Sequence, residues 1–316
     1  MFRGFSFIPA GTHIPFVALR KICFALSAML MLGSIALFTT KGLNYGIDFR
    51  GGTLIEIQNK SGPADLATLR STLSGLDLGD VQVQTFGADN EVLIRIEQQG
   101  NEESSQQQGI QKVKQALGDS VDYRRVEVVG PTVSGELKEA GALAVGVAIL
   151  AILIYIWFRF EWQFSVAAVA ALVHDVTLTI GIFAFMQLEF NLSIIAAILT
   201  IVGYSLNDTV VVFDRIRENL RKYKKMPLAE LLDLSMNETL SRTTLTSFTT
   251  LLAVIALYVF GGEVIRGFTF AMIWGIMVGT YSSIFVAAPL LLILDVKRDW
   301  SGLGGAKVKE PKPGGA

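Results

Sequence analysis

Gly203–Val212 reads GYSLNDTVVV. Asn207 and Asp208 stand side by side there, inside an apolar run that extends over Leu192–Phe213. A run of that length crosses a hydrocarbon core of about 30 Å as a helix. An aspartate near the centre of such a helix costs about 2.5–3.5 kcal/mol on insertion scales. A cost of that size calls for a partner or a use, so the reading of this stretch depends on whether the chain spans a bilayer.

The rest of the sequence says that it does. Of 316 residues, 51% are hydrophobic and only 17% charged, and the mean hydropathy is +0.49. These values place the chain among membrane proteins. Six apolar segments stand out: Ile22–Phe38, Ala140–Phe158, Phe164–Leu188, Leu192–Phe213, Leu245–Phe260 and Phe268–Leu294. The first has a long polar flank before it and no clear cleavage site after it, so it is predicted to be a retained signal anchor. More than half of the 27 Lys and Arg residues fall at the N-terminus, at Arg159, between Arg215 and Arg242, and in the tail. The positive-inside rule then puts both termini in the cytoplasm. The predicted organisation is a cytoplasmic N-terminus (1–21), a first span (22–40), an external domain (41–137), spans two to four (138–213), a basic and amphipathic cytoplasmic loop (214–244), spans five and six (245–295), and a disordered cytoplasmic tail (296–316). The amphipathic stretch PLAELLDLSMNETL is read either as a helix lying along the inner membrane face or as a solvated connector.

Between spans one and two the pattern changes. TLIEIQ, VQVQTF, EVLIRI and YRRVEVV alternate as strands, and ADLATLRSTLSGL and ESSQQQGIQKVKQALG read as helices, with a turn at GADN. The order β-α-β-β-α-β predicts a ferredoxin-like α+β domain. The fold class is therefore a polytopic α-helical membrane protein with six transmembrane helices and one such external domain.

Candidate functional residues are the polar groups in the spans. Tyr204 and Ser205 lie one turn before Asp208, so that face of the helix is predicted to meet protein rather than lipid. Intramembrane carboxylates default to ion or proton pathways, and Asn207 beside Asp208 is a candidate for the same pathway. His174 and Asp175 sit midway along the third span. Adjacent helical residues diverge by about 100°, so the two are not expected to share one face fully, and a packing role for His174 competes with a functional one. Arg242 opens the fifth span in SRTTLTSFTT. Snorkelling to the interface is its ordinary role. An arginine that reached Asp208 would hold the carboxylate ionised, and one that moved away would let it protonate. Gly203, and Gly275 with Gly279 in a G-x-x-x-G pattern, are candidates for close helix packing. The lone Cys23 excludes an intramolecular disulfide. The sequence carries no phosphate loop, dinucleotide fingerprint, nucleophile elbow or metal-spaced His and Cys, so neither an enzyme nor a cofactor or metal site is predicted.

Four stretches together, LNYGIDFRGGT (Leu43–Thr53), HDV (His174–Val176), GYSLNDTVVVFDRIREN (Gly203–Asn219) and SRTTLTSFTT (Ser241–Thr250), resemble the SecF branch of the SecD/SecF family of bacterial protein-export membrane proteins. The resemblance runs from about residue 20 to 295. It implies one half of an assembly similar to the resistance-nodulation-division transporters, with SecD as the other half. It also implies an inner-membrane location with residues 41–137 in the periplasm. Implied partners are SecD, the SecYEG channel, SecA, YajC, YidC, the translocating polypeptide and membrane lipids, with no nucleic acid. Export would be driven by a proton or sodium gradient, with Asp208 and Arg242 on the ion pathway beside Asp175, Ser205 and Asn207. Gly46, Asp48, Gly51, Gly52 and His174 match the family signature. Two alternatives stand beside this reading: half of a small-solute exporter, and a translocase scaffold that conducts no ions.

Overall fold

The computed structural model describes residues 13–97 and 103–296. Six of its helices are long and apolar enough to cross a membrane. α1 (Arg20–Lys41) follows a short 3-10 turn at Phe16–Leu19. α5 (Pro131–Arg159), α6 (Trp162–Met186), α7 (Leu192–Lys222), α8 (Leu228–Phe260) and α9 (Arg266–Ser282) supply the others. α9 runs on through a π-helical turn, Ser283–Ala287, into α10 (Ala288–Ile293). The wider turn accommodates Pro289, which has no N–H to give the α-helical ladder.

The helices are not equivalent. In α6, α7 and α9 about half of the apolar window is buried (50%, 44% and 61%), against 6–11% in α1, α5 and α8. α6, α7 and α9 therefore form the centre, and the other three present Leu, Ile, Val and Phe side chains outward. Two apolar clusters hold the centre. One joins Phe183, Ile194, Ile201 and Ile276 toward the end that carries the α+β unit; the other joins Phe160, Phe164, Phe213 and Ile216 at the opposite end.

Two predicted boundaries move. The stretch assigned to a separate loop, 214–244, is almost entirely helical. α7 continues unbroken to Lys222, and α8 starts just after Pro227 and includes the fifth span without interruption. No Gly or Pro lies between Leu228 and Phe260 to break it. The apolar face of PLAELLDLSMNETL neither lies on the membrane as its own element nor stays solvated. Leu231, Leu232 and Met236 bury against Phe213, Ile216 and Leu220 of the extended α7. Val17 N–H donates to Asp233 Oδ1 at 2.8 Å, so the N-terminal turn also packs on this extension. The second change is at α5, which begins at Pro131 rather than near 138. Proline suits a first helical turn.

The external part consists of β2 (Gly52–Asn59), α3 (Leu66–Ser74), β3 (Val81–Phe86), β4 (Ala88–Ile96), α4 (Glu103–Leu117) and β5 (Val121–Val129). The sheet order is β3-β4-β2-β5, with antiparallel pairing throughout. The turn predicted over GADN shrinks to Gly87 at φ 84°, and Asp89 and Asn90 belong to β4. Asp65 caps α3 by accepting from Ala67 N–H and Thr68 N–H. The Thr68 hydroxyl and these two amides hold its carboxyl below the usual carboxylate range. Ile55, Ile57, Val92, Ile94 and Leu73 form the core under α3 and α4. The opposite face carries Leu54 and Leu93, which pack with Ile47.

A small junction links the two parts. β1 (Asn44–Tyr45) pairs in parallel with β6 (Glu189–Phe190), which lies between α6 and α7. One helical turn, α2 (Ile47–Arg50), follows β1.

Candidate functional site: a buried polar seam and its outer junction

Asp208 and Ser205 lie one turn apart on α7, and both are buried. Asp175 on α6 is fully buried as well. Three side chains converge on Asp175. Ser205 Oγ donates to Oδ2 at 2.5 Å, Ser282 Oγ donates to the same oxygen at 2.8 Å, and His174 Nδ1 lies 2.9 Å from Oδ1. This carboxyl thus ties α6 to α7 and α9. The predicted divergence of His174 and Asp175 is corrected: both side chains are buried and the imidazole Nδ1 meets the carboxylate. The imidazole also stacks on Tyr281, with centroids 6.0 Å apart. The Tyr281 hydroxyl in turn lies 3.1 Å from Ser27 Oγ and donates to the Cys23 carbonyl at 3.2 Å, so α1 is drawn into the same network.

Asp208 has a sparser environment. Its one hydrogen bond among the described residues comes from Ser247 Oγ of α8, at 3.4 Å to Oδ2. Ser247 is also 2.7 Å from Thr280 Oγ1 of α9. An ionised carboxylate has about four acceptor positions, so Asp208 keeps capacity that Asp175 has spent.

Arg242 does not pair with Asp208. Among the described residues no ion pair joins them, and the arginine is exposed on α8. Successive residues there face different ways: Thr243 and Ser247 are buried, while Arg242 and Leu245 turn outward. Asn207 is likewise exposed, next to buried Asp208. Gly203 shares that outward face, with no atom within 4 Å of where a Cβ would stand, so it packs no helix within this chain. Gly275 and Gly279 do pack. A Cβ on Gly275 would meet Ile201 Cγ1 at 2.3 Å, and one on Gly279 would meet Ser205 Cβ at 2.9 Å. The sequence reading missed Ser247, Thr280, Ser282 and Ser283. Thr209 Oγ1 lies 2.9 Å from Ser283 Oγ. Their signal is the run of hydroxyls one helical turn apart in two spans, which reads as ordinary small-residue content until the helices are placed.

Four of the five signature residues, Gly46, Asp48, Gly51 and Gly52, gather at the junction, and His174 lies in the polar seam instead. Gly46 N–H donates to Phe190 O at 2.9 Å. A Cβ on Gly46 would stand 2.7 Å from Glu189 Oε1 and 3.1 Å from Asn191 Cβ, so a side chain there would displace the Glu189 carboxylate and press on Asn191. Asp48 Oδ2 accepts from Leu192 N–H at 2.8 Å. Gly51 and Gly52 have φ of 75° and 115°, which L side chains rarely adopt. Arg95 of β4 forms a 2.7 Å ion pair with Glu189. Burial pushes the Glu189 carboxyl above its ordinary value, against the pull of Arg95.

Six helices able to cross a membrane, with two buried carboxylates among them and one α+β unit beside them, define a multi-pass membrane protein. The family model described as "Protein export membrane protein SecD/SecF, C-terminal" matches residues 109–297, and the "SecD/SecF GG Motif" matches residues 36–58. The chain belongs to the SecD/SecF family and is a SecF-like subunit of the Sec translocase. It is 48% identical to the protein translocase subunit SecF of Cereibacter sphaeroides, over 97% of this chain and 95% of that one. It is 47% identical to SecF of Vibrio alginolyticus, over 93% and 94%. It is also 45% identical to the SecDF subunit of Brucella abortus, over 96% of this chain but only 40% of that one. The crystal structure of SecDF from Thermus thermophilus, described as translocon-associated, matches with a TM-score of 0.82 at 35% identity, over 90% of this chain and 39% of that one. SecDF in a super-membrane-facing form matches at 0.68, over 91% and 39%. The chain thus spans about two fifths of a SecDF chain, and association with SecD follows from that fusion.

Proposed function

We propose that the chain lies in the bacterial inner membrane with both termini cytoplasmic, and that with SecD it couples an ion gradient to the completion of protein export. Asp208 is the site that takes up and releases the ion, a proton or sodium. The observation that carries this is the contrast between the two buried carboxylates. Asp175 is held by two serines and a histidine, whereas Asp208 has one long contact from Ser247. Ion-pathway roles are the default for intramembrane carboxylates, and of the two Asp208 has far more unspent acceptor capacity.

The outward face of α7 with Gly203 and Asn207, and the exposed Arg242 of α8, meet the SecD half. In this reading Arg242 acts on the ion site from the seam between halves rather than by a bond within the chain. The two halves form an assembly of the resistance-nodulation-division type. The external unit is ferredoxin-like, a reading supported by its element order and antiparallel sheet, and it contacts the emerging polypeptide. SecYEG, SecA, YajC and YidC are the further partners of the complex. Family membership displaces the small-solute exporter; the non-conducting scaffold is the reading left to exclude.

The test uses membrane vesicles that carry the chain with SecD. Gradient-driven completion of a secreted precursor is followed together with internal pH and internal sodium. Asp208→Asn is expected to abolish the gradient-driven part of export while the complex still assembles. Full gradient-driven export in that variant, with ion flux unchanged, would leave the scaffold.

A further inference from the structure

We propose that Asp48, Arg95 and Glu189 act as positioning residues, forming a strut that ties the external domain to the outer end of α7 so that the two move together. The inference deepens the proposed function, because α7 is the helix that carries Asp208.

The covalent connections of the external domain lead elsewhere. It enters from α1 and leaves through Gly130–Pro131 into α5, and both helices are peripheral. Motion of α7 therefore has no direct covalent route outward. The junction provides a non-covalent one, in three layers. First, the N-terminus of α7 is capped from a distance. Asn191 occupies the N-cap position, yet its side chain makes no cap; its Oδ1 accepts from Ser193 Oγ at 2.6 Å. The Leu192 N–H is bonded instead by Asp48, from the turn that opens the external domain. A carboxylate there also complements the positive end of the helix. Second, Arg95 projects from the middle of the domain sheet and pairs with Glu189, three residues before α7 begins. Its guanidinium is held by Asn44 Oδ1 at 3.2 Å and Gln82 Oε1 at 3.3 Å. Third, β1 and β6 pair directly, and side-chain to backbone bonds add to the pairing: Asn44 Nδ2 donates to Gln187 O at 3.0 Å, and Gln187 Nε2 to Gly42 O at 3.2 Å. A contact made by one hydrogen bond would slip; an ion pair, a cap and a strand pairing within a few residues of one another resist both sliding and separation.

The test uses the full chain with SecD in vesicles and four variants: Asp48→Ala, Arg95→Glu, Glu189→Arg, and the double exchange Arg95→Glu/Glu189→Arg. Amide hydrogen exchange is read at Gly46 and Leu192, and gradient-driven export in the same preparations. Loss of the cap is expected to speed exchange at Leu192 about tenfold in Asp48→Ala. Each single charge variant is expected to speed exchange at Gly46 and to lower gradient-driven export to the level of Asp208→Asn. The double exchange restores both, which a generally unfolded junction would not do. Unchanged exchange in all four variants, or a double exchange as defective as either single, overturns the strut. Asp208→Asn in parallel separates the two readings. If that variant exports normally, the ion pathway is wrong, while the exchange data still judge the strut.

Discussion

Gly275→Ala tests the packing of the central helices with one methyl group. In the structure that methyl would meet three atoms of Ile201: Cγ1 at 2.3 Å, Cδ1 at 2.4 Å and Cγ2 at 2.6 Å. Ordinary carbon contacts begin at about 3.5 Å, so α7 and α9 would have to part by about 1 Å. Ile201 is 1% exposed and β-branched, so it has neither space nor rotamer freedom to move aside. Overpacking of this kind costs typically 1–3 kcal/mol, and the number of contacts places Gly275→Ala toward the upper end. The displacement would also reach the next turn, where Ser205 donates to Asp175. Gly203→Ala is the control. Its methyl meets nothing within 4 Å in this chain, and replacing glycine in a helix gains up to about 1 kcal/mol. The two substitutions are chemically identical and are expected to differ in sign. The assay is reversible unfolding of the purified chain in detergent micelles, followed by tryptophan fluorescence, for wild type, both single variants, Ile201→Ala, and Gly275→Ala/Ile201→Ala. Trimming Ile201 removes the obstacle, so the last pair should show a favourable coupling of about 1–2 kcal/mol, within the range for contacting residues. A Gly275→Ala loss under about 0.5 kcal/mol, or no coupling with Ile201→Ala, would refute the close α7–α9 approach. With SecD present, Gly203→Ala is expected to turn from favourable to harmful, measured as lost co-purification.

The two acids of the seam should part in stability as they do in coordination. Asp175→Asn removes an acceptor from buried hydroxyls and should cost roughly 1–3 kcal/mol in the same unfolding assay, whereas Asp208→Asn, with one long contact, should cost under about 1 kcal/mol. At the junction, burial outweighs the pull of Arg95 on Glu189, and the nearby Asp48 and Glu127 charges add to the rise. A carboxyl raised above its ordinary value favours the folded state most at low pH, and that contribution is lost as pH rises through the raised value. Glu189→Gln should therefore hold or raise the melting temperature near pH 8, and its advantage over wild type should shrink on acidification. Arg95→Gln leaves the half-buried carboxylate without its cation and should lower the melting temperature most at pH 8 and least at pH 5; the reverse order would contradict this assignment of charge.

The spans were legible because a membrane demands about 20 apolar residues at a time, and the external elements because strands alternate. What the sequence hid were relations between elements. Nothing in PLAELLDLSMNETL says that its leucines meet Phe213 and Leu220 rather than lipid, because an apolar helix face is the same in either case. Asp208 was visible through its cost, but its neighbours Ser247 and Thr280 were not, since a serine or threonine in a span satisfies itself on the preceding turn and carries no penalty that marks it. The outward direction of Arg242 and Asn207 was hidden for a related reason. Adjacent residues on a helix divide between faces, and only the packed structure says which face is inside. The signature glycines belong to a third kind: the role of Gly46 depends on Glu189 and Asn191, more than 140 residues away, and no local pattern carries it.

The different coordination of the two carboxylates also assigns the moving part on the proposed pathway. Asp175 binds α6 to α7 through Ser205 and to α9 through Ser282, and Gly275 and Gly279 bring α7 against α9 without spare volume. These three helices are tied directly to one another. Asp208 belongs to that group but reaches across to α8, through a single hydroxyl at the long end of hydrogen bonding. Ser247 has an alternative partner in Thr280, at 2.7 Å, so loss of charge at Asp208 leaves the serine satisfied. On the proposed pathway, gain or loss of an ion there changes the hold of the part of α8 that bears Arg242 and Ser247, while its N-terminal turns stay packed on α7 through Leu231, Leu232 and Met236. This group meets the external domain at the N-terminal end of α7, through the contacts of Asp48 and of Arg95 with Glu189. In the proposed cycle, ion-driven movement of that part of α8 and the partner half would be a movement relative to α6, α7, α9 and the external domain taken together, and that boundary is where the two halves would do work on a polypeptide.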